Sequence, residues 1–258
     1  MEASVSTRAW PVADEAFALV FAPGTRPDLA TIRRIVEEGG NDGLVARLSH
    51  EPPAEEGWVE ILASGLTFDL RGLAPAEAGP LPATSQRYGF ARAGKHAPTT
   101  PGEAVILGPA GHIAAGAGLA PVIRTMAGLA ANLALHLPLR EVLWPPARSA
   151  MEPAYFARLV LNWLAGGAFP ALGLTSLARA PDGSVASEGL AFFTGAEMQL
   201  EAGPKGDPVA DIKLAVRLVD YLVANGVPPG EVDVSIGGEQ LVLEPAGQGR
   251  KIWAWRSE

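Results

Sequence analysis

Apolar residues recur along this chain at two spacings, and the spacing changes several times. Leu119, Ile123, Met126, Leu129, Leu133 and Leu137 follow intervals of 4-3-3-4-4, one stripe of an α-helix. Pro121 suits the first turn, where a missing N–H is harmless, and Pro138 ends the helix. Ala127, Gly128, Ala130, Ala131 and Ala134 lie between the large residues. Such small side chains admit close neighbours, so this helix is expected to be covered on most sides by its own domain. Three more segments read as helices that start at proline and stop at glycine: "RPDLATIRRIVEEGG" from Pro27 to Gly39-Gly40, "EPAYFARLVLNWLAGG" from Pro153 to Gly166-Gly167, and "GDPVADIKLAVRLVDYLVANG". The last has Asp207 as N-cap, Pro208 at the first helical position and Gly226 as C-cap. Ile212, Val216, Val219 and Leu222 form its expected buried stripe, while Asp211, Arg217 and Asp220 are expected to face water.

The shorter runs read as strands. "FALVFA" is nearly all apolar, which predicts a central strand covered on both faces. "GLVARL", "WVEILA" and "LTFDL" alternate, as an antiparallel group would, and "AVILG" and "EVLWP" flank the long helix. "FPALGLTSLARA" and "SVASEGLAFFTG" are joined by Pro181-Asp182-Gly183, and "EVDVSI" and "EQLVLE" by Gly237-Gly238. Both are hairpin signals, and "KIWAW" adds a last strand. So many hairpins argue against a pure βαβ sheet. The expectation is an α+β fold with mainly antiparallel mixed sheets packed with about four helices. A strand–helix–strands order that recurs without a clean repeat points to two related lobes. Residues 74–103 hold five prolines and read as a linker or a lid. They separate an N-terminal lobe, 1–73, from a C-terminal lobe, 104–258, unless the chain forms one continuous domain.

The glycines of "VILGPAGHIAAGAGLAPVIRTMAGLAANLALHLP" invite two other readings, and both fail. A phosphate loop needs Lys and Ser/Thr where Ala117 and Gly118 stand, and a dinucleotide fingerprint needs glycine where Pro121 stands. A membrane span needs about 20 apolar residues. Here Arg124 divides the run, with 11 residues before it from Ile113 and 15 after it to Leu139.

Composition narrows the chemistry. A chain of 258 residues with 48% apolar residues buries a large core without staples. It has no cysteine, which excludes disulfides, thiolate metal sites and thiol catalysis. Its net charge of −8 repels phosphate backbones and anionic lipid, so neither nucleic-acid nor membrane binding is expected. The one short basic group is Arg87, Arg92, Lys95 and His96. The N-terminal segment has no apolar signal region, so the expected location is the cytoplasm.

The four histidines, His50, His96, His112 and His136, form no i,i+4 pair, and "HEPPA" at His50 cannot become a zinc helix. No serine-hydrolase elbow is present. The distinctive stretch is "SEGLAFFTGAEMQLEAG", residues 187–203. It reads as one long strand bulged near Thr194-Gly195. Glu197, Gln199 and Glu201 point one way, Met198 and Leu200 the other, and Glu188 precedes the bulge without a clear direction. Carboxylates two residues apart lie about 7 Å apart on a strand, a spacing that suits a cation or an acid/base pair but more often marks a solvated face. The candidate ligand-binding residues are thus Glu188, Glu197, Glu201, His112 and Trp144. His112 is placed before the long helix, where the dipole favours anions. Trp144 lines a pocket or packs in the core. Trp253 and Trp255 share a strand face, either as a partner surface or as core. No cofactor or metal site is expected.

The motifs "WPPARSAMEPAYF" and "LNWLAGGAFPALGLTSLARAPDGSVASEGLAFFTGAEMQLE", followed by a helix ending in "YLVANG", resemble the bacterial family called domain of unknown function 4261. The likeness covers roughly residues 105–258 and centres on Gly189, Leu190, Phe193, Gly195 and Glu197. It implies a soluble bacterial protein and no particular activity. The sequence therefore leans away from an enzyme, toward a non-catalytic module that binds an unidentified protein partner or itself. The alternative is a small-ligand-binding protein or hydrolase-like enzyme with a carboxylate-lined pocket closed by 74–103.

Overall fold

A computed structural model describes residues 15–38, 45–90, 102–204 and 207–257 of the chain. The fold is α+β, with two sheets and four helices of ten or more residues. The first sheet has eight strands. In spatial order they are β2 (Ala46–His50), β3 (Trp58–Ala63), β4 (Leu66–Arg71), β6 (Glu103–Pro109), β1 (Phe17–Phe21), β7 (Glu141–Trp144), β8 (Ser149–Met151) and β5 (Gln86–Tyr88). The second has six: β12 (Val232–Ile236), β13 (Glu239–Ala246), β14 (Lys251–Arg256), β11 (Glu197–Leu200), β10 (Val185–Glu188) and β9 (Ser176–Arg179). Only the pairs β5–β8 and β11–β14 are parallel among the described residues. The long helices are α1 (Leu29–Glu38), α2 (Ala120–His136), α3 (Pro153–Leu164) and α6 (Pro208–Asn225). Two single turns, α4 (Ala171–Leu174) and α5 (Ala191–Thr194), complete the set.

The apolar run Phe17–Phe21 is the centre of the first sheet, between β6 and β7. Every one of its residues is buried. Phe17, Leu19 and Phe21 join the main core, while Ala18 and Val20 join Ala104, Ile106, Leu143 and Ala150 on the other face. This is the period-two division of a strand covered on both sides. Helix α2 packs chiefly on α3 and lies over β6, β1 and β4. Its small residues Ala127, Gly128, Ala130 and Ala131 are all buried, which permits that close approach. Leu119 leaves the expected stripe: it is the N-cap, with extended φ −67 and ψ 136, and is 63% exposed.

One core runs through both sheets and all four long helices. The division between sheets does not fall at residues 74–103. Strand β6 lies between β4 and β1, so the first sheet takes strands from both sides of that tract and ends at Met151. Part of the tract is itself stitched to the first sheet and the β1–α1 loop. Ala74 bridges Asp28, Gly79 bridges Ala104, and β5 runs beside β8. Residues 91–101, with Arg92, Lys95 and His96 of the expected basic group, lie outside the described residues. Arg87 is neutralised by Glu141 at 2.8 Å and lies over the Phe90 ring. The glycines expected to end α1, Gly39 and Gly40, also lie outside the described residues.

The start of β6 is tied to the β1–α1 loop by Glu103. Its carboxylate accepts from Arg26 Nε at 2.8 Å and from Gly24 N at 3.1 Å. The Arg26 hydrogen bond, then the Gly24 N–H, hold its pKa below the ordinary carboxyl range. A lowered folded pKa contributes stability that is full above the unfolded value, about 4.3, and is lost as pH falls through the folded one. Glu103→Gln should therefore lower the urea midpoint at neutral pH and converge with wild type in acid. A gap that stays constant with pH would exclude this linkage.

Candidate functional site

Residues 187–203 do not form one bent strand. They form the hairpin β10–β11, closed by the helical turn α5. Glycines with positive φ, Gly189 at 89° and Gly195 at 85°, stand on either side of that turn. A Cβ on Gly189 would come within 2.8 Å of the Pro146–Ala147 backbone, so the close approach itself requires glycine. Alternation holds within β11: Met198 and Leu200 are buried, and Glu197 and Gln199 half-buried.

The half-buried Glu197 carboxylate is engaged on both oxygens. Its Oε1 accepts from Gly189 N at 2.8 Å and Ala191 N at 3.1 Å, and its Oε2 from Leu190 N at 3.3 Å and from Ser187 Oγ. The carboxylate thereby satisfies N–H groups that the start of a turn leaves without partners. The five residues Gly189, Leu190, Phe193, Gly195 and Glu197 belong to one fastening. Leu190 is fully buried and Phe193 packs on Phe169 at 4.9 Å. Glu197→Ala should cost about 1.5–3 kcal/mol, the range for hydrogen bonds to a charged group. A urea midpoint unchanged from wild type would show that the carboxylate is not a fastening.

Trp144 lies on the other side of the same turn. It is fully buried, touches Phe17 at 4.5 Å and Phe192 at 5.1 Å, and donates from Nε1 to Leu174 O at 3.0 Å. It is packed as a core residue. Glu188 has a side chain 45% exposed and lies 3.8 Å from Arg148. Glu201 sits just beyond β11, where its carboxylate accepts from Arg256 N at 3.0 Å. His112 is on the first sheet's side of the molecule, within 3.0 Å of Thr67 Oγ1. The 3-10 turn Ala114–Gly116 separates it from α2, so the helix dipole does not act on it as expected. The structure thus brings Trp144 and Glu197 to the same turn, with Glu188 beside it, and leaves Glu201 and His112 elsewhere.

Two buried charge clusters escaped the sequence reading. Asp211, expected in water, is 1% exposed. It pairs with Arg256 Nη2 at 2.8 Å and accepts from Gly203 N at 3.2 Å. On β4, Asp69 and Arg71 are 3% and 6% exposed and pair at 2.6 Å, with Arg71 over the Trp58 ring. The available signal was "DLR" on a strand: opposite charges two residues apart share a face. An open cavity of about 390 Å³ lies at the β2–β4 corner, lined by Val45, Ala46, Arg47, Leu62, Ser64 and Gly65. It contains none of the candidate residues. Among the described residues no group of three His, Asp or Glu side chains is placed to hold a metal ion.

No family model, curated protein or solved structure matches this chain.

The outer face of the second sheet carries an aromatic row. Ile252 and Ala254 point inward and are fully buried, so Lys251, Trp253 and Trp255 point outward. Lys251 Nζ lies 4.1 Å over the Trp253 ring and donates to Gln199 Oε1 at 2.6 Å. Trp253 stacks on Trp255 at 5.1 Å with 9° between the planes. Trp255 is 37% exposed, and its Nε1 donates to Glu244 Oε2 at 3.0 Å. The register places Val242 and then exposed Asp233 beside Trp255, and Glu244 beside Trp253.

Proposed function

We propose that this protein is a non-catalytic protein-binding or assembly module of the cytoplasm, working through the outer face of the six-stranded sheet. The observation that carries this reading is the stacked Trp253–Trp255 pair, presented on a rigid strand with Trp255 open to solvent. Tryptophan on a rigid element gives a large contact area with little rotamer entropy to lose, which is why binding energy concentrates on such residues. The competing reading, a carboxylate-lined ligand or hydrolase site, is weakened at its central group. Both Glu197 oxygens are engaged by backbone N–H groups and Ser187. No helix among the described residues is long and apolar enough to cross a membrane. The resemblance to domain of unknown function 4261 belongs to the proposal and adds no chemistry to it.

The test is quantitative affinity purification with the full chain, comparing wild type, Trp253→Ser/Trp255→Ser and Glu188→Gln. The expected result is a protein retained by wild type and Glu188→Gln and lost by the folded double variant. Equal recovery by the tryptophan variant would overturn the reading.

A further inference from the structure

We propose that this face takes a basic, extended segment of its partner, with an arginine guanidinium seated on the free face of Trp255 and the carboxylates of Glu244 and Asp233 supplying negative charge from the two neighbouring strands. The inference rests on the protein-binding reading and names the chemistry of the partner.

The row along β14 sets the pattern. Trp253 is covered on one face by the Lys251 ammonium and on the other by Trp255. The far face of Trp255 meets no ring and no cation among the described residues. An indole face attracts a cation through its quadrupole, and guanidinium stacks on it better than ammonium because it is planar and weakly hydrated. The hydrogen bond to Glu244 fixes the orientation of the Trp255 ring.

Charge selects the same occupant. Glu244 and Asp233 are both exposed, on the strands beside Trp255. Glu244 uses one oxygen for Trp255 and has no hydrogen bond to the other among the described residues. The neighbouring cations are already committed. Lys251 is held by Gln199, and Arg256 turns to the opposite face, where Asp211 and Glu239 take its guanidinium. The surface around Trp255 is therefore an apolar step, Trp255 with Val242, with the Glu244 and Asp233 carboxylates on the two neighbouring strands. The chain's net charge of −8 adds long-range attraction for a basic partner. A sugar fits less well. The stacked pair leaves one indole face open here, whereas a glycan row needs several.

The test uses the ¹⁵N-labelled full chain and a capped Gly-Ser-Arg-Arg-Gly-Ser peptide, followed by the indole N–H signals in NMR. The expected result is a saturable shift of the Trp255 signal. Binding should weaken at least about fivefold in Trp255→Leu and in Glu244→Gln, be weaker for the Lys-for-Arg peptide, and fall with added salt. No shift, equal binding of the lysine peptide, indifference to Glu244→Gln, or a Trp255 shift with cellohexaose but not with the arginine peptide would each overturn the inference. Failure here with partner capture still lost in Trp253→Ser/Trp255→Ser would remove the basic segment and leave the protein-binding reading standing. Failure of both would remove the surface altogether.

Discussion

Replacing Asp211 with alanine is expected to destabilise the fold by about 3–5 kcal/mol, the usual cost of removing one member of a buried ion pair. Asp211 is on α6, and the Arg256 it holds is at the end of β14, with side-chain exposures of 2% and 14%. Arg256 also donates from Nε to Glu239 and from Nη1 to the Glu201 carbonyl. One guanidinium thus fastens α6, β13, β14 and the end of β11. Without Asp211 it keeps its burial and loses its closest carboxylate, and Gly203 N loses its acceptor. The double variant Asp211→Ala/Arg256→Met should be more stable than Asp211→Ala alone, because no buried charge is left behind. Urea unfolding of the two variants decides the matter. A single variant within about 1 kcal/mol of wild type, well below the range for a buried pair, would show that water reaches the cluster freely.

Trp144→Ala is the second large effect, about 3–5 kcal/mol as for other large-to-small aromatic substitutions in cores. Trp144 belongs to β7 of the first sheet, yet Phe192 and Phe193 of the second sheet's hairpin pack against it, at 5.1 Å and 6.4 Å. The cavity would therefore open where the two sheets share their core, and the α5 turn would lose its support. Trp144→Phe restores most of the volume but leaves Leu174 O without its donor, so it should fall between the other two. The near-ultraviolet circular dichroism of Trp144→Ala should lose intensity before global unfolding. A wild-type spectrum and urea midpoint would contradict the packing described.

What the sequence made legible was local. The run at Phe17–Phe21 announced a central strand, the Asp207-Pro208 start of α6 is as read, and both hairpins follow their turn residues. What it concealed was non-local or too short for a period. Ala191–Thr194 is one turn, below the length at which helical spacing shows, and so the hairpin around it read as a bulged strand. On α6, Val219 and Leu222 are buried as expected, but the first half of the stripe is rotated: Leu214, Ala215 and Leu218 are buried with Asp211, while Ile212 and Val216 are half-buried. The partner that makes burial of Asp211 tolerable is 45 residues away. The insertion of β6 between β4 and β1 likewise depends on pairings that no local pattern records. Among the candidates, alternation revealed that Trp253 and Trp255 share a face, but only the sheet order shows that the face is the outer one.

The most direct measurement is hydroxyl-radical footprinting of the tryptophans, in the purified protein and in the complex it forms with its captured partner. In the free protein Trp255 should oxidise readily and Trp144 hardly at all, as their exposures of 37% and 0% require. In the complex Trp255 should be protected, with Trp58 and Trp163 unchanged. A complex in which Trp255 oxidises as fast as in the free protein would contradict the account, because the partner would then be bound somewhere else.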